Sequence, residues 1–302
     1  MTTSIAEFGA EGRLWLRRGW ERVRSRDVAV PRVEASLSFL ASAPGRPVAY
    51  LYEPPAGTPR DNAEYQARTV SIADARLMAS SLELHRNGFE LWDAPSGVED
   101  FRDDGEVVDR YYPEVAELAL AATGGTEVHV FDHLVRQREA GRPAMTLGAR
   151  RGAQLAGPAG RVHNDYSEVS GERRFGLVLP GQVPSGRFCI VNVWRSIGEA
   201  PVRDTPLALC DARTVEAADL VPSEIRYPKR DGEIFLVRHG PGQQWSYLSE
   251  MRKDEVWVFK QYDSDRGQPA RFTPHAAFDH PASPPDAPPR TSIEVRCLVT
   301  FQ

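Results

Sequence analysis

From Thr126 to the end of the chain, short β-rich segments alternate with turns, and that alternation limits the possible folds more than any other feature. The segments are Thr126–Leu134, Arg161–Tyr166, Phe188–Trp194, Pro206–Asp211, Glu233–Arg238, Glu255–Tyr262, Arg271–Phe278 and Ser292–Phe301. Eight strands at this spacing predict a mainly β protein with flanking helices. Its core would be a double-stranded β-helix, a cupin-like jelly roll of two facing four-stranded sheets.

The first part of the chain has a different texture. Leu14, Trp15, Leu16, Trp20 and Val23 recur among arginines and glutamates at helical spacing, which predicts an amphipathic helix over 9–27. Strands are expected around Val48–Tyr52 and Leu82–Leu91, with a helix over about Ala73–Ser80 beside them. A second helix is expected near Glu106–Ala122, closed by Gly124-Gly125. Residues 1–302 are therefore read as one domain, with 1–125 flanking a core formed by 126–302. The Gly/Ala/Arg-rich segment 137–160 is expected to be a lid, because loops of this length in compact domains tend to be functional. The run His280–Pro289 carries too many prolines for a ladder strand and must be a surface connection.

A net charge of −5 gives no basic footprint for nucleic acid, so a small-molecule substrate is expected. Cys189, Cys210 and Cys297 stand singly in apolar runs and are read as buried thiols, as in a reducing cytoplasm. The N-terminal residues show no signal-peptide core. No stretch approaches the roughly 18 apolar residues of a membrane span, so a cytoplasmic protein without membrane contact is expected. The oligomeric state leaves no mark in the sequence.

The segment Val162-His163-Asn164-Asp165-Tyr166 places an imidazole and a carboxylate at i and i+2, on one side of an extended strand. One further imidazole would complete a 2-His-1-carboxylate facial triad, the set that holds ferrous iron and leaves open positions. In a β-helix the second metal-bearing strand is the seventh, facing the first near the open end. That strand contains His275, the expected distal ligand. His239 and His280 are the alternatives, whereas His129 and His133 sit in a strand pattern that favours packing roles.

Fifteen residues after His275, Arg290-Thr291-Ser292 opens the last strand. A guanidinium fork matches a carboxylate bidentately, and a hydroxyl two residues on points the same way. Arg290 and Ser292 are therefore candidates to hold the distal carboxylate of 2-oxoglutarate. Arg296, in phase on the same strand, is the competing anchor.

Taken together, Val162-His-Asn-Asp165-Tyr, Ile190-Val-Asn-Val-Trp194-Arg, Pro206–Arg213, Glu233–His239, Tyr262-Asp-Ser264, Phe272-Thr-Pro-His275 and Ser292–Arg296 resemble the CmcJ/NvfI-like family of AsaB-type hydroxylase/desaturases. The resemblance runs from about residue 126 onward and is weaker before it. It implies a non-haem oxygenase of natural-product metabolism that uses Fe(II), 2-oxoglutarate and O2, and releases succinate and CO2. It further implies that Asn192 and Trp194 face the site. Iron halogenases replace the carboxylate ligand with a small residue, so Asp165 argues against chlorination.

Two other readings compete. A cupin-type metalloenzyme would need no 2-oxoglutarate, and Arg290-x-Ser292 speaks against it. A catalytically silent binder would need no three convergent ligands.

Overall fold

The computed structural model of the chain describes residues 29–138 and 156–301, and residues 6–8 and 16–17 as backbone. Its strands are β1 (Ala6–Phe8), β2 (Leu16–Arg17), β3 (Arg32–Ser42), β4 (Val48–Tyr50), β5 (Glu64–Asp74) and β6 (Phe89–Asp93) in the first part. They continue with β7 (Glu127–Gln137), β8 (His163–Asn164), β9 (Phe188–Ser196), β10 (Leu207–Cys210) and β11 (Leu220–Tyr227). The last five are β12 (Arg230–Val237), β13 (Trp245–Tyr247), β14 (Glu255–Asp263), β15 (His275–Ala277) and β16 (Thr291–Thr300).

One sheet runs β1-β7-β16-β9-β14-β6-β2 and the other β3-β5-β13-β10-β15-β8-β12-β11-β4. Each of the eight expected segments contains one strand. At the sheet centres these lie in the orders β7-β16-β9-β14 and β10-β15-β8-β12, joined by antiparallel ladders. The jelly roll is therefore present. Its sheets are wider than the expected four strands, because strands from both parts of the chain share them.

Of the widening strands, β4 and β6 fall where strands were expected, whereas β3, β5, β11 and β13 were not expected. β3 and β5 pair antiparallel over most of their length, yet their sequences are rich in Ala, Ser, Arg and Glu, which have weak β preference by themselves. β11 forms a hairpin with β12 and carries β4 at the sheet edge. The helix expected over Ala73–Ser80 is absent. β5 continues through Asp74, whose carboxylate caps a 3-10 turn at Ala75–Leu77, and a second 3-10 turn follows at Ala79–Ser81. The expected strand over Leu82–Leu91 begins only at Phe89. Of the expected helix over 9–27, Leu16–Arg17 is a strand and the remainder lies outside the described residues, as do residues 139–155 of the expected lid.

The expected helix near Glu106–Ala122 is a helical run from Asp104 to Thr123 with a π turn at Val107–Tyr111. Gly124, at φ 68°, closes it by donating its N–H to Leu120 O (2.8 Å). Its Tyr112, Val115, Ala116 and Ala119 pack on Val191, Val193, Val256 and Val258, the outer face of the first sheet. The alternate residues of β9 and β14 point the other way. Trp194, Trp257 and Phe259 meet Leu207 and Leu209 of the second sheet in the layer between the sheets. A second helix, Glu168–Val178, follows β8 directly. Ser167 and Ser170 form its capping box, and Gly171 lets it approach Tyr262, since a Cβ there would lie 2.3 Å from the ring. Two glycines in eleven residues hide this helix from a propensity reading.

Candidate metal and cosubstrate site

The site begins with a register match. β8 and β15 are antiparallel neighbours, and His163 lies directly opposite His275. The two ligand-bearing strands are thus adjacent in one sheet, a correction to the expectation that they face each other. Their side chains emerge on the same side, with ring centroids 4.4 Å apart. Asp165 follows β8 by one residue, its Oδ1 3.5 Å from His163 Nε2. One ligand atom each from His163, Asp165 and His275 lies within 4.8 Å of the others.

Hydrogen bonds orient each group. His163 Nδ1 donates to Arg161 O (2.7 Å) and His275 Nδ1 to Thr273 O (3.2 Å), so both rings carry the Nδ1–H tautomer and leave Nε2 as a free acceptor. Burial and the neighbouring His163 push the His275 pKa down to about 3. That imidazole is neutral, as a metal ligand must be. Burial alone would raise Asp165, but the Arg296 guanidinium outweighs it and holds the carboxyl well below the usual range.

Asn164, read only as a spacer, is a supporting residue that the sequence did not reveal. It is fully buried. Its Nδ2 donates to Tyr166 O (2.7 Å) and Gln261 O (2.8 Å), and its Oδ1 accepts from Thr273 N (2.9 Å). It therefore ties the His-x-Asp segment to both β14 and the approach to His275. Gln261 sits where the β9–β14 register shifts, between Lys260 and Tyr262, and its Oε1 accepts the Asp165 N–H (2.7 Å). Bulges next to sites re-aim side chains in this way. A xNx spacer and a glutamine inside a hydrophobic strand were the only sequence signals available.

The two candidate anchors differ sharply. Arg296 is spent on carboxylates: Nε donates to Asp165 (3.0 Å), Nη1 to Asp132 (2.9 Å) and Nη2 to Glu294 (2.5 Å). Burial would lower its pKa, but these three anions keep it well above the ordinary value. Arg290 is 4% exposed and stacks over Trp194, its guanidinium carbon 5.3 Å from the ring. Its Nη1 donates to Thr205 O (2.6 Å), while Nε has no partner among the described residues. The fully buried Ser292 Oγ is likewise unpartnered. Burial and then Arg136 push Arg290 down to about 9, as expected for a cation lacking a close counter-charge. Arg290 lines one small cavity with His163, His275, Trp194, Arg136 and Glu294.

Those orphaned donors beside three gathered ligands fit the cosubstrate and the metal that the sequence implied. Asn192 donates from Nδ2 to Asp165 Oδ2 (2.9 Å), and its Oδ1 has no partner among the described residues. His239 packs edge-on against Phe39, and His280 contacts Tyr247, so neither joins the cluster. His133 bonds Tyr112, and His129 is buried in β7.

Comparison with known proteins agrees with this geometry. A family model described as "Oxidoreductase/YMDC permease-like domain" matches residues 37–300. The Fe(II)/2-oxoglutarate-dependent dioxygenase nvfI of Aspergillus novofumigatus (strain IBT 16806) is 35% identical over 262 residues, covering 83% of this chain and 89% of that protein. The chain belongs to the Fe(II)/2-oxoglutarate-dependent dioxygenase family. The hydroxylase/desaturase efuI of Hormonema carpetanum is 30% identical over 91% of this chain and 97% of its own length. The solved structure of the iron and alpha-ketoglutarate-dependent endoperoxidase NvfI superposes with a TM-score of 0.80 at 29% identity, over 89% of this chain and 98% of that one. The protein is accordingly an oxidoreductase whose cofactors are Fe(II), 2-oxoglutarate and O2, rather than a cupin enzyme without the cosubstrate or a silent binder. In this dioxygenase no helix among the described residues is long and apolar enough to cross a membrane.

Proposed function

We propose that His163, Asp165 and His275 are the iron ligands and that Arg290 with Ser292 holds the distal carboxylate of 2-oxoglutarate. The substrate is proposed to be a small natural product or amino-acid-derived metabolite, which the dioxygenase hydroxylates, desaturates or closes into a ring. The observation that carries this reading is the buried Arg290 Nε, which lacks a partner among the described residues and belongs to a side chain lining the cavity of the two histidines, with the equally unpartnered Ser292 Oγ two positions on. Burying an unpaired cation costs several kcal/mol, a cost that an incoming carboxylate offsets. Iron with 2-oxoglutarate supplies dioxygen activation, with succinate and CO2 as coproducts.

The chain's own residues then have defined tasks. The Nδ1–H bonds of His163 and His275 aim both Nε2 atoms at one point, and the N–H of Asp165 is fixed by Gln261. Trp194 gives the Arg290 guanidinium an apolar face to lie on. The whole of 1–302 is proposed to act as one oxygenase domain, a reading supported by the strands that both parts contribute to each sheet. A cytoplasmic location is proposed, supported by three buried cysteines without a disulfide.

The test is anaerobic loading with Fe(II) and 2-oxoglutarate, followed by admission of oxygen. Succinate should form in the native protein and not in His163→Ala or His275→Ala, and both variants should lose stoichiometric metal uptake. Equal metal uptake by native protein and His163→Ala would refute the ligand assignment.

A further inference from the structure

The two oxygens of Asp165 are treated differently by the fold. Oδ1 is the atom beside His163 Nε2, and Oδ2 accepts two hydrogen bonds, from Arg296 Nε (3.0 Å) and Asn192 Nδ2 (2.9 Å). We propose that Arg296 and Asn192 are positioning residues that hold Asp165 as a one-oxygen ligand, keeping Oδ2 away from the metal. This rests on the ligand assignment above. The physical reason is competition: a carboxylate has lone pairs on both oxygens and can bind a cation through one or both. Two donors already on Oδ2 make the second mode costly, because binding the metal there would strand a buried guanidinium nitrogen and a buried amide.

The guanidinium is itself fixed from three sides. Asp132 on β7 and Glu294 on β16 take its other two nitrogens, and the register between those strands shifts beside Arg296. Bond for bond, Arg296 can release Asp165 only if both of these contacts move with it. Asn192 adds a neutral donor from β9, a strand buried along its length. The arrangement reserves for cosubstrate and oxygen the coordination positions that a two-oxygen aspartate would reduce.

The experiment uses the full chain stripped of metal and titrated with Mn(II), with circular dichroism as a check of folding. Water-proton relaxation counts the waters on the bound ion. Native protein should bind one Mn(II) per chain. Asn192→Ala should bind it about 10- to 100-fold more weakly, and with fewer bound waters than native protein. Arg296→Met should do the same; because it leaves three carboxylates short of a donor it can fail to fold, and Asn192→Ala, which removes only a neutral group, decides the matter alone. A folded Asn192→Ala with native affinity and native water count overturns the proposal and leaves the ligand assignment standing. A native protein that takes up no Mn(II), or takes it up equally in His163→Ala, overturns the ligand assignment and the proposal with it.

Discussion

His163 and His275 are register partners on neighbouring antiparallel strands, so one ladder sets the separation of two candidate ligands 112 positions apart in the chain. A slip of one residue in either strand would turn one imidazole to the opposite face of the sheet. Neither strand resists a slip through length: β8 has 2 residues and β15 has 3. Resistance comes from Asn164, which bonds both β14 and Thr273.

Asn164→Ala is accordingly expected to cost at least about 2 kcal/mol of stability, since it leaves two carbonyls and one N–H buried without their partner. Urea denaturation of the metal-free protein measures this. A loss below about 0.5 kcal/mol, within the usual scatter of surface substitutions, would mean that the register is held elsewhere.

Arg290→Met should raise the KM for 2-oxoglutarate about 10- to 100-fold, the value of a charge-assisted pair, while metal affinity stays native. Ser292→Ala should raise it less. Succinate release at varied cosubstrate concentration reads both. An unchanged KM would return the anchor role to another cation of the cavity.

Gly88 has φ +95°, and a Cβ there would lie 2.3 Å from Thr273 Oγ1. Its carbonyl also accepts from Lys260 N (2.8 Å) and Thr273 Oγ1 (3.0 Å), two residues before His275. Gly88→Ala is expected to destabilise by about 1–3 kcal/mol through backbone strain and overpacking, and to weaken metal uptake by displacing Thr273. Thermal unfolding with and without Mn(II) separates the two effects.

His85 gives the protein an acid-sensitive joint. Its Nδ1 faces donors on both Lys260 Nζ (3.2 Å) and Arg187 Nη2 (3.1 Å), and Nε2 donates to Thr123 O (2.9 Å), so the ring is neutral. Burial and then Lys260 hold its pKa below the ordinary 6.5. As pH falls through 6.5 the unfolded chain takes up this proton and the folded chain does not, so stability present above 6.5 is lost on acidification. His275 and His280, also lowered, add to the same slope. The unfolding midpoint should drop between pH 7 and 5.5, and His85→Gln should flatten part of that drop. A native midpoint that stays level across this range is the contrary result.

How much of this was readable beforehand follows from the range of the interactions involved. Each of the eight core strands lies in a β-rich segment bounded by turns, which is a local signal, and the order His163-x-Asp165, His275, Arg290-x-Ser292 is a one-dimensional pattern. Both therefore lay open in the sequence. β3 and β5 did not, because polar and small residues become strands only when a partner ladder and a covering layer exist. The choice between Arg290 and Arg296 did not either. Arg290 immediately precedes β16 and Arg296 lies within it, in phase and identical in chemistry, and only the packed sheets place Asp132, Glu294 and Asp165 around Arg296 while leaving Arg290 Nε without a partner among the described residues. Ligand identity is a property of residue type and order; which charge remains free is a property of what the fold brings within hydrogen-bonding distance.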